Sequence, residues 1–187
     1  MADDSKLPDP FFDSALHYVL ENEGGYSNNP ADKGGPTNWG ITQADLSAYL
    51  GRKASADDVK AMTRDVAAAI YKANYWLPLV CNKCPSEALA TMIFDQGGVR
   101  GVGSAQKLLK AIVGIPDNVS YSTAWDILNS RKVGTPDIYK RIALAFAKQS
   151  LAPYIRICTA NPSQLVFLSG WSTRVLRLFD LVFWRST

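Results

Sequence analysis

Phe11-Phe-Asp-Ser-Ala-Leu-His-Tyr-Val-Leu-Glu-Asn-Glu-Gly-Gly25 is the stretch that decides the reading of this chain. Phe11, Phe12, Ala15, Leu16, Val19 and Leu20 recur every three or four residues, the spacing of one face of an α-helix. Gly24-Gly25 marks its end. Glu23 lies seven residues after Leu16, four after Val19 and three after Leu20, so it shares the apolar face, while Glu21 points elsewhere. A carboxylate facing inward at the last turn is opposed twice. Desolvation disfavours its charge, and so does the negative end of the helix dipole. Both effects favour the protonated form, which is the form a general acid must have. The ordinary alternative is a glutamate that caps a loop by accepting from backbone N–H groups.

The following residues, 26–41, are crowded with Asn28, Asn29, Pro30, Gly34, Gly35, Pro36 and Gly40, and read as loop or short hairpin. Such a loop can fold back over the helix end and bring Asp32 and Thr37 opposite Glu23 across a groove. Two carboxyl groups in unlike surroundings are the equipment for cleaving a glycosidic bond. Asp32 as a plain turn-forming residue is the alternative. Tyr26, Trp39, Tyr75 and Trp76 are aromatic faces on which a sugar ring can stack, or else helix-packing core. Asn28, Asn29 and Asn38 are amides that hydrogen-bond hydroxyl or N-acetyl groups, or else build turns.

The rest of the chain is helical in its periodicity. Thr42-Gln-Ala-Asp45, Ser55-Ala-Asp-Asp58 and Thr63-Arg-Asp65 open helices, the last running through Val66, Ile70 and Tyr71 to Tyr75-Trp76. Pro85-Ser-Glu87 opens another, ending near Phe94-Asp95, and Gln96 to Ser104 reads as a glycine-rich turn, with Ser104 capping the next helix. Asp137–Cys158 reads as a long helix bent at Pro153. Ser169 to about Trp184 reads as the last, with Trp171, Val175, Leu178 and Leu181 or Val182 as its stripe. The class is mainly α with a small hairpin near residues 26–41.

With 187 residues the chain is the size of one domain and can bury a core without a metal or disulfide. No apolar run approaches the length of a membrane-spanning helix, and the acidic N-terminus lacks the apolar core of a secretory signal. Residues 1–130 carry a balance of −4 and residues 131–187 one of +7. A basic C-terminal third suits an anionic partner such as a wall polymer or an anionic membrane, or is a solvated face. The helix with Trp171, Phe179, Phe183 and Trp184 is amphipathic enough to touch a membrane. No basic run supports nucleic acid. Cys81-Asn-Lys-Cys84 has no nearby ligands to make a zinc site, since the single histidine is His17. With Pro85 following, it reads as loop, and the thiols read as buried or incidental.

Glu21-Asn-Glu-Gly-Gly-Tyr-Ser-Asn-Asn-Pro-Ala-Asp-Lys-Gly-Gly-Pro-Thr-Asn-Trp-Gly-Ile-Thr42 resembles the signature of the glycoside hydrolase 108 N-acetylmuramidases, which are phage endolysins and secretion-associated muramidases. Weaker similarity continues at Tyr75-Trp76, Phe94-Asp95 and Gly170-Trp171 with Arg174. The resemblance implies a lysozyme-like helical fold in a single domain, 1–187. Residues 1–96 would be the catalytic half and 97–187 a helical, peptidoglycan-binding half. It implies catalysis by Glu23, Asp32 and Thr37, in the Glu, Asp, Thr order of phage-type lysozymes. Thr37 sits one residue closer to Asp32 than is usual, which makes Thr42 a rival. Substrate would be held by Tyr26, Asn38, Trp39, Tyr75, Trp76, Asp95 and Gln96. Val99 stands where the family tends to have asparagine, and Gln96 or Arg100 would compensate. The implied reaction is hydrolysis of the β-1,4 bond between N-acetylmuramic acid and N-acetylglucosamine, with no metal or cofactor. A monomeric endolysin held in the host cytoplasm and released to the wall fits this picture. Its rivals are a lytic transglycosylase, separable by anhydromuramic products, and a non-catalytic wall-binding protein.

Overall fold

The structure is a computed structural model that describes residues 7–28, 35–131 and 138–184. Helix α1, Phe12–Asn22, buries the predicted face through Phe12, Ala15, Leu16, Val19 and Leu20, and Tyr18 joins them. It ends one residue before Glu23. The Glu23 N–H still donates to Val19 O at 3.1 Å, and the backbone then turns extended (φ −91°, ψ 148°). Glu23 is therefore the residue that closes the helix rather than part of its last turn.

The hairpin is narrower than the loop composition suggested. Strand β1, Thr37–Asn38, pairs antiparallel with β2, Ile41–Thr42, with Thr37 opposite Thr42 and Asn38 opposite Ile41. Ser27 adds a bridge to Thr37 through two backbone hydrogen bonds of 2.9 Å. Trp39 (φ 53°) and Gly40 (φ 75°) form the connecting turn, both left-handed, as a two-residue hairpin of the tightest type requires. A tryptophan pays strain there. It is held by Trp39 Nε1 donating to Met62 O (3.3 Å) and by its own carbonyl accepting from Tyr71 Oη (3.0 Å).

The capping signals read from the sequence form as expected. Thr42 and Asp45 make a reciprocal capping box on α2, Gln43–Leu50. Ser55 and Asp58 do the same on α3, Ala56–Lys60, and Thr63 caps α4, Arg64–Tyr71, which passes into a π-helical turn, Lys72–Trp76.

Two expectations fail at the glycines that follow. Helix α5, Glu87–Arg100, does not stop at Asp95 but runs through Gln96, Gly97 and Gly98 to Gly101 (φ 84°). A side chain built on Gly97 would overlap the Leu79 Cδ1 methyl, so this glycine serves close packing rather than a turn. Helix α6, Val102–Val113, begins at once, with Gly101 and not Ser104 at its cap. After α7, Tyr121–Ser130, helix α8, Ile138–Ala160, carries Pro153 inside it; the expected start at Asp137 lies outside the described residues. Helix α9, Leu165–Trp184, begins four residues before Ser169, after a 3-10 turn at Pro162–Gln164.

Helix α5 is the axle of the molecule. Residues Ala88 to Gly97 are all buried, because α1, α6, α8 and α9 pack around it. One apolar cluster runs from Phe12 and Leu16 through Trp76, Phe94 and Phe146 to Val175 and Leu178. The residue 96/97 division therefore falls inside a helix that both segments cover. Cys81, in a 3-10 turn, and Cys84 are buried; Cys81 Sγ points at Ala90 O, and burial pushes its thiol well up, away from reactivity. Among the described residues no helix is long and apolar enough to cross a membrane.

Candidate active site

Glu23 ends α1 with a side chain that is one-quarter exposed, at the point where α1, the hairpin turn, α4, α5 and α9 converge. Arg174 reaches it from α9. Its Nη2 donates to Glu23 Oε1 at 2.8 Å, while its Nε donates to Asp95 Oδ1, also at 2.8 Å. Asp95 is wholly buried on α5, and its second oxygen accepts from Gln96 Nε2 at 3.1 Å. From the α1 side, Tyr18 Oη donates to the Arg174 carbonyl at 2.7 Å. One guanidinium thus ties the closing residue of the first helix to the central helix.

The second glutamate oxygen faces the hairpin. A Cβ on Gly40 would lie 2.9 Å from Glu23 Oε2 and 2.5 Å from Tyr71 Oη, so only glycine lets the turn approach this closely, and its left-handed φ asks for glycine independently. The surrounding ionisable groups follow from burial. Burial pushes Asp95 up, against the Arg174 charge and hydrogen bond that pull it back. Burial alone would lower Arg174, but Asp95 and then Glu23 outweigh it and hold the guanidinium above its ordinary range. Tyr71 is pushed up by burial first and by the Glu23 charge second. The sequence placed Glu23 inward without a partner; the structure puts the Arg174 guanidinium on its Oε1.

The other predicted site residues fall into separate places. Asp32 lies outside the described residues. Thr37 and Thr42 are cross-strand partners, but the Thr42 hydroxyl is engaged with Asp45, donating to Oδ2 at 2.7 Å and accepting from Asp45 N–H at 3.1 Å. Tyr26 is exposed, with Lys60 Nζ 5.9 Å from its ring centre, and Trp39 and Tyr75 are half-buried around the hairpin and α4. Trp76 has no solvent-facing surface. Its ring meets Phe12 and Phe94 edge-on at 5.4 Å each and its Nε1 donates to Asp9 at 2.9 Å, so it is core and not a stacking face. Asn38 is also buried, and its amide donates to Val59 O (3.0 Å) and Lys60 O (3.3 Å), anchoring the hairpin to α3. Asp95 and Gln96 are fully buried; Asp95 is linked to Glu23 through Arg174, and Gln96 donates to Asp95. Val99 is exposed on α5, and Arg100 donates to Ser150 O on α8.

Arg174 received no role from the sequence, although a signal was there: it is the one cation on the stripe of Trp171, Val175 and Leu178, three residues before and one and four after it. An arginine on an apolar stripe needs a buried acid, and Asp95 is that acid. Among the described residues no group of histidine, cysteine, aspartate and glutamate side chains is placed to hold a metal ion.

A mainly helical fold with one small antiparallel hairpin among the described residues fits a lysozyme-like architecture. The glycosyl hydrolase 108 family profile matches residues 16–101. The structure of Brucella abortus SagA is similar to this one, with a TM-score of 0.70 and 30% sequence identity, over 91% of this chain and 92% of that one. No curated protein matches the sequence. The chain belongs to glycosyl hydrolase family 108, and its general function is that of a muramidase-type peptidoglycan hydrolase.

Proposed function

We propose that this protein hydrolyses the β-1,4 bond between N-acetylmuramic acid and N-acetylglucosamine, with Glu23 as general acid. Glu23 gives its proton to the glycosidic oxygen as the bond from that oxygen to the anomeric carbon breaks, the bonding pair staying with the oxygen. Water supplies hydroxyl to the anomeric carbon, and its remaining proton returns to a carboxylate. Asp32 positions that water or stabilises the oxocarbenium-like transition state, and Thr37 helps to hold the water. The endolysin role, action on the wall as a monomer after release from a host cytoplasm, and wall or anionic-membrane contact through the basic C-terminal region belong to the same reading.

The observation that carries it is Glu23 itself: a partly exposed carboxyl at the end of the first helix, held on one oxygen by Arg174 and approached on the other by a glycine turn. The experiment is digestion of purified sacculi by wild type, Glu23→Gln and Asp32→Asn, with products read by mass spectrometry. Glu23→Gln keeps the fold and loses at least about 10²–10⁴-fold in rate, the usual worth of acid catalysis, and Asp32→Asn loses less. Reducing N-acetylmuramic ends are expected. Near-wild-type turnover by Glu23→Gln removes the mechanism, and anhydromuramic ends convert it to a transglycosylase.

A further inference from the structure

The profile match stops at residue 101, yet the residue that grips Glu23 lies at 174, in the last helix. The C-terminal segment therefore reaches the chemistry as well as packing beside it. Arg174 is not an adaptable surface partner. It is five-sixths buried, its Nε is fixed on a carboxylate with no exposure at all, and its backbone carbonyl is held by Tyr18 from the glutamate's own helix. The Asp95 carboxylate is fixed in turn by its neighbour Gln96. A guanidinium locked this way presents Nη2 at one defined point, and Glu23 Oε1 accepts there.

We propose that Arg174 is a positioning residue for the acid step: it fixes the Glu23 carboxyl and, by occupying Oε1, leaves Oε2 as the oxygen that carries and delivers the proton. This rests on the reading of Glu23 as the acid. Protonating Oε1 would set an O–H against a donating guanidinium, whereas Oε2 meets the hairpin turn where Gly40 has no side chain. The described ionisable groups facing Glu23 are Arg174 from α9, Asp95 behind it on α5, and the phenols of Tyr71 and Tyr75 on α4 and the turn after it. Arg174 is the cation among these, and it is the group that holds Oε1.

The test uses the full chain on soluble glycan-strand fragments, with kcat and KM measured across pH for wild type, Arg174→Met and Arg174→Lys. Loss of the clamp lowers kcat by about 10²-fold, the cost of a misplacement near 1 Å, with KM nearly constant. Arg174→Lys, which keeps the charge but cannot fork across two carboxylates, recovers kcat only in part, again with KM nearly constant. If Arg174→Met does not fold, Arg174→Met with Asp95→Asn removes the stranded buried charge as well and is read by the same criteria. Wild-type kcat in the folded variant overturns the proposal. So does a change in KM alone, which would make Arg174 a substrate contact. Glu23→Gln separates the two levels. If it is fully active the acid assignment falls, and if it is inactive while Arg174→Met is unaffected only the clamp falls.

Discussion

Gly97 and Gly98 are neighbours in the same helix and should respond to alanine with opposite signs. In an ordinary helix each glycine costs roughly 0.5–1 kcal/mol relative to alanine, through the backbone freedom lost on folding. Gly98 faces open space, with no atom within 4 Å of an added Cβ, so Gly98→Ala recovers most of that amount. An alanine Cβ at Gly97 would overlap Leu79 Cδ1 and lie 3.6 Å from Leu79 Cγ, so the fully buried Leu79 side chain must shift within the core to admit it. Overpacking of this kind costs about 1–3 kcal/mol, which exceeds the helix gain. The two variants should therefore differ by about 1–3 kcal/mol, or ~0.5–1.5 M in urea midpoint for a slope near 2 kcal/mol/M. Gly98→Ala lies above wild type and Gly97→Ala below it. Shortening the obstructing side chain, as in Gly97→Ala with Leu79→Val, should give less loss than the sum of the single changes, because the two residues touch. Equal midpoint gains for the two alanines would refute the packing account of Gly97.

Two further outcomes follow from the site. Gly40→Ala combines a left-handed backbone with a Cβ 2.9 Å from Glu23 Oε2 and 2.5 Å from Tyr71 Oη, so it should lower turnover more than stability, read by comparing kcat with the urea midpoint. At alkaline pH the fold should weaken for a reason visible in the core. Burial raises the Tyr18 and Tyr71 phenols, so both stay neutral in the folded protein after the unfolded chain begins to ionise near pH 10. Their contribution is complete below about pH 10 and is lost as pH rises above it, by up to about 1.4 kcal/mol per pH unit for each phenol. Urea midpoints at pH 9, 10 and 11 should fall more steeply in wild type than in Tyr18→Phe or Tyr71→Phe, and parallel slopes would remove these two tyrosines from the explanation.

Most of the local structure was legible because it is set by near neighbours. The α1 stripe, the capping boxes at Thr42–Asp45 and Ser55–Asp58, the small hairpin expected near residues 26–41 and found at Thr37–Thr42, and the stripe of α9 through Val175 and Leu178 are each decided within a few residues. The errors came where glycine had two meanings. Gly97-Gly98 reads as punctuation from the sequence, but Leu79, eighteen residues earlier, makes Gly97 a packing residue, and the helix continues. Trp76 and Asn38 had the residue types of sugar contacts, and only burial showed that Phe12, Phe94, Val59 and Lys60 already use them.

The site divides the same way. Periodicity alone placed Glu23 inward at the end of a helix, because three spacings to apolar residues fix its direction. What that carboxyl meets could not be read from any window of sequence. Arg174 is 151 residues away, and its partner Asp95 looks in sequence like one more acid after an apolar run. A helix face is a local property of spacing, whereas an ion pair between the first helix, the central helix and the last is a product of how α1, α5 and α9 pack. The chain's own order gave this protein its helices and its inward glutamate; only their packing, driven by burial of α5 on all sides, brought the cation to it.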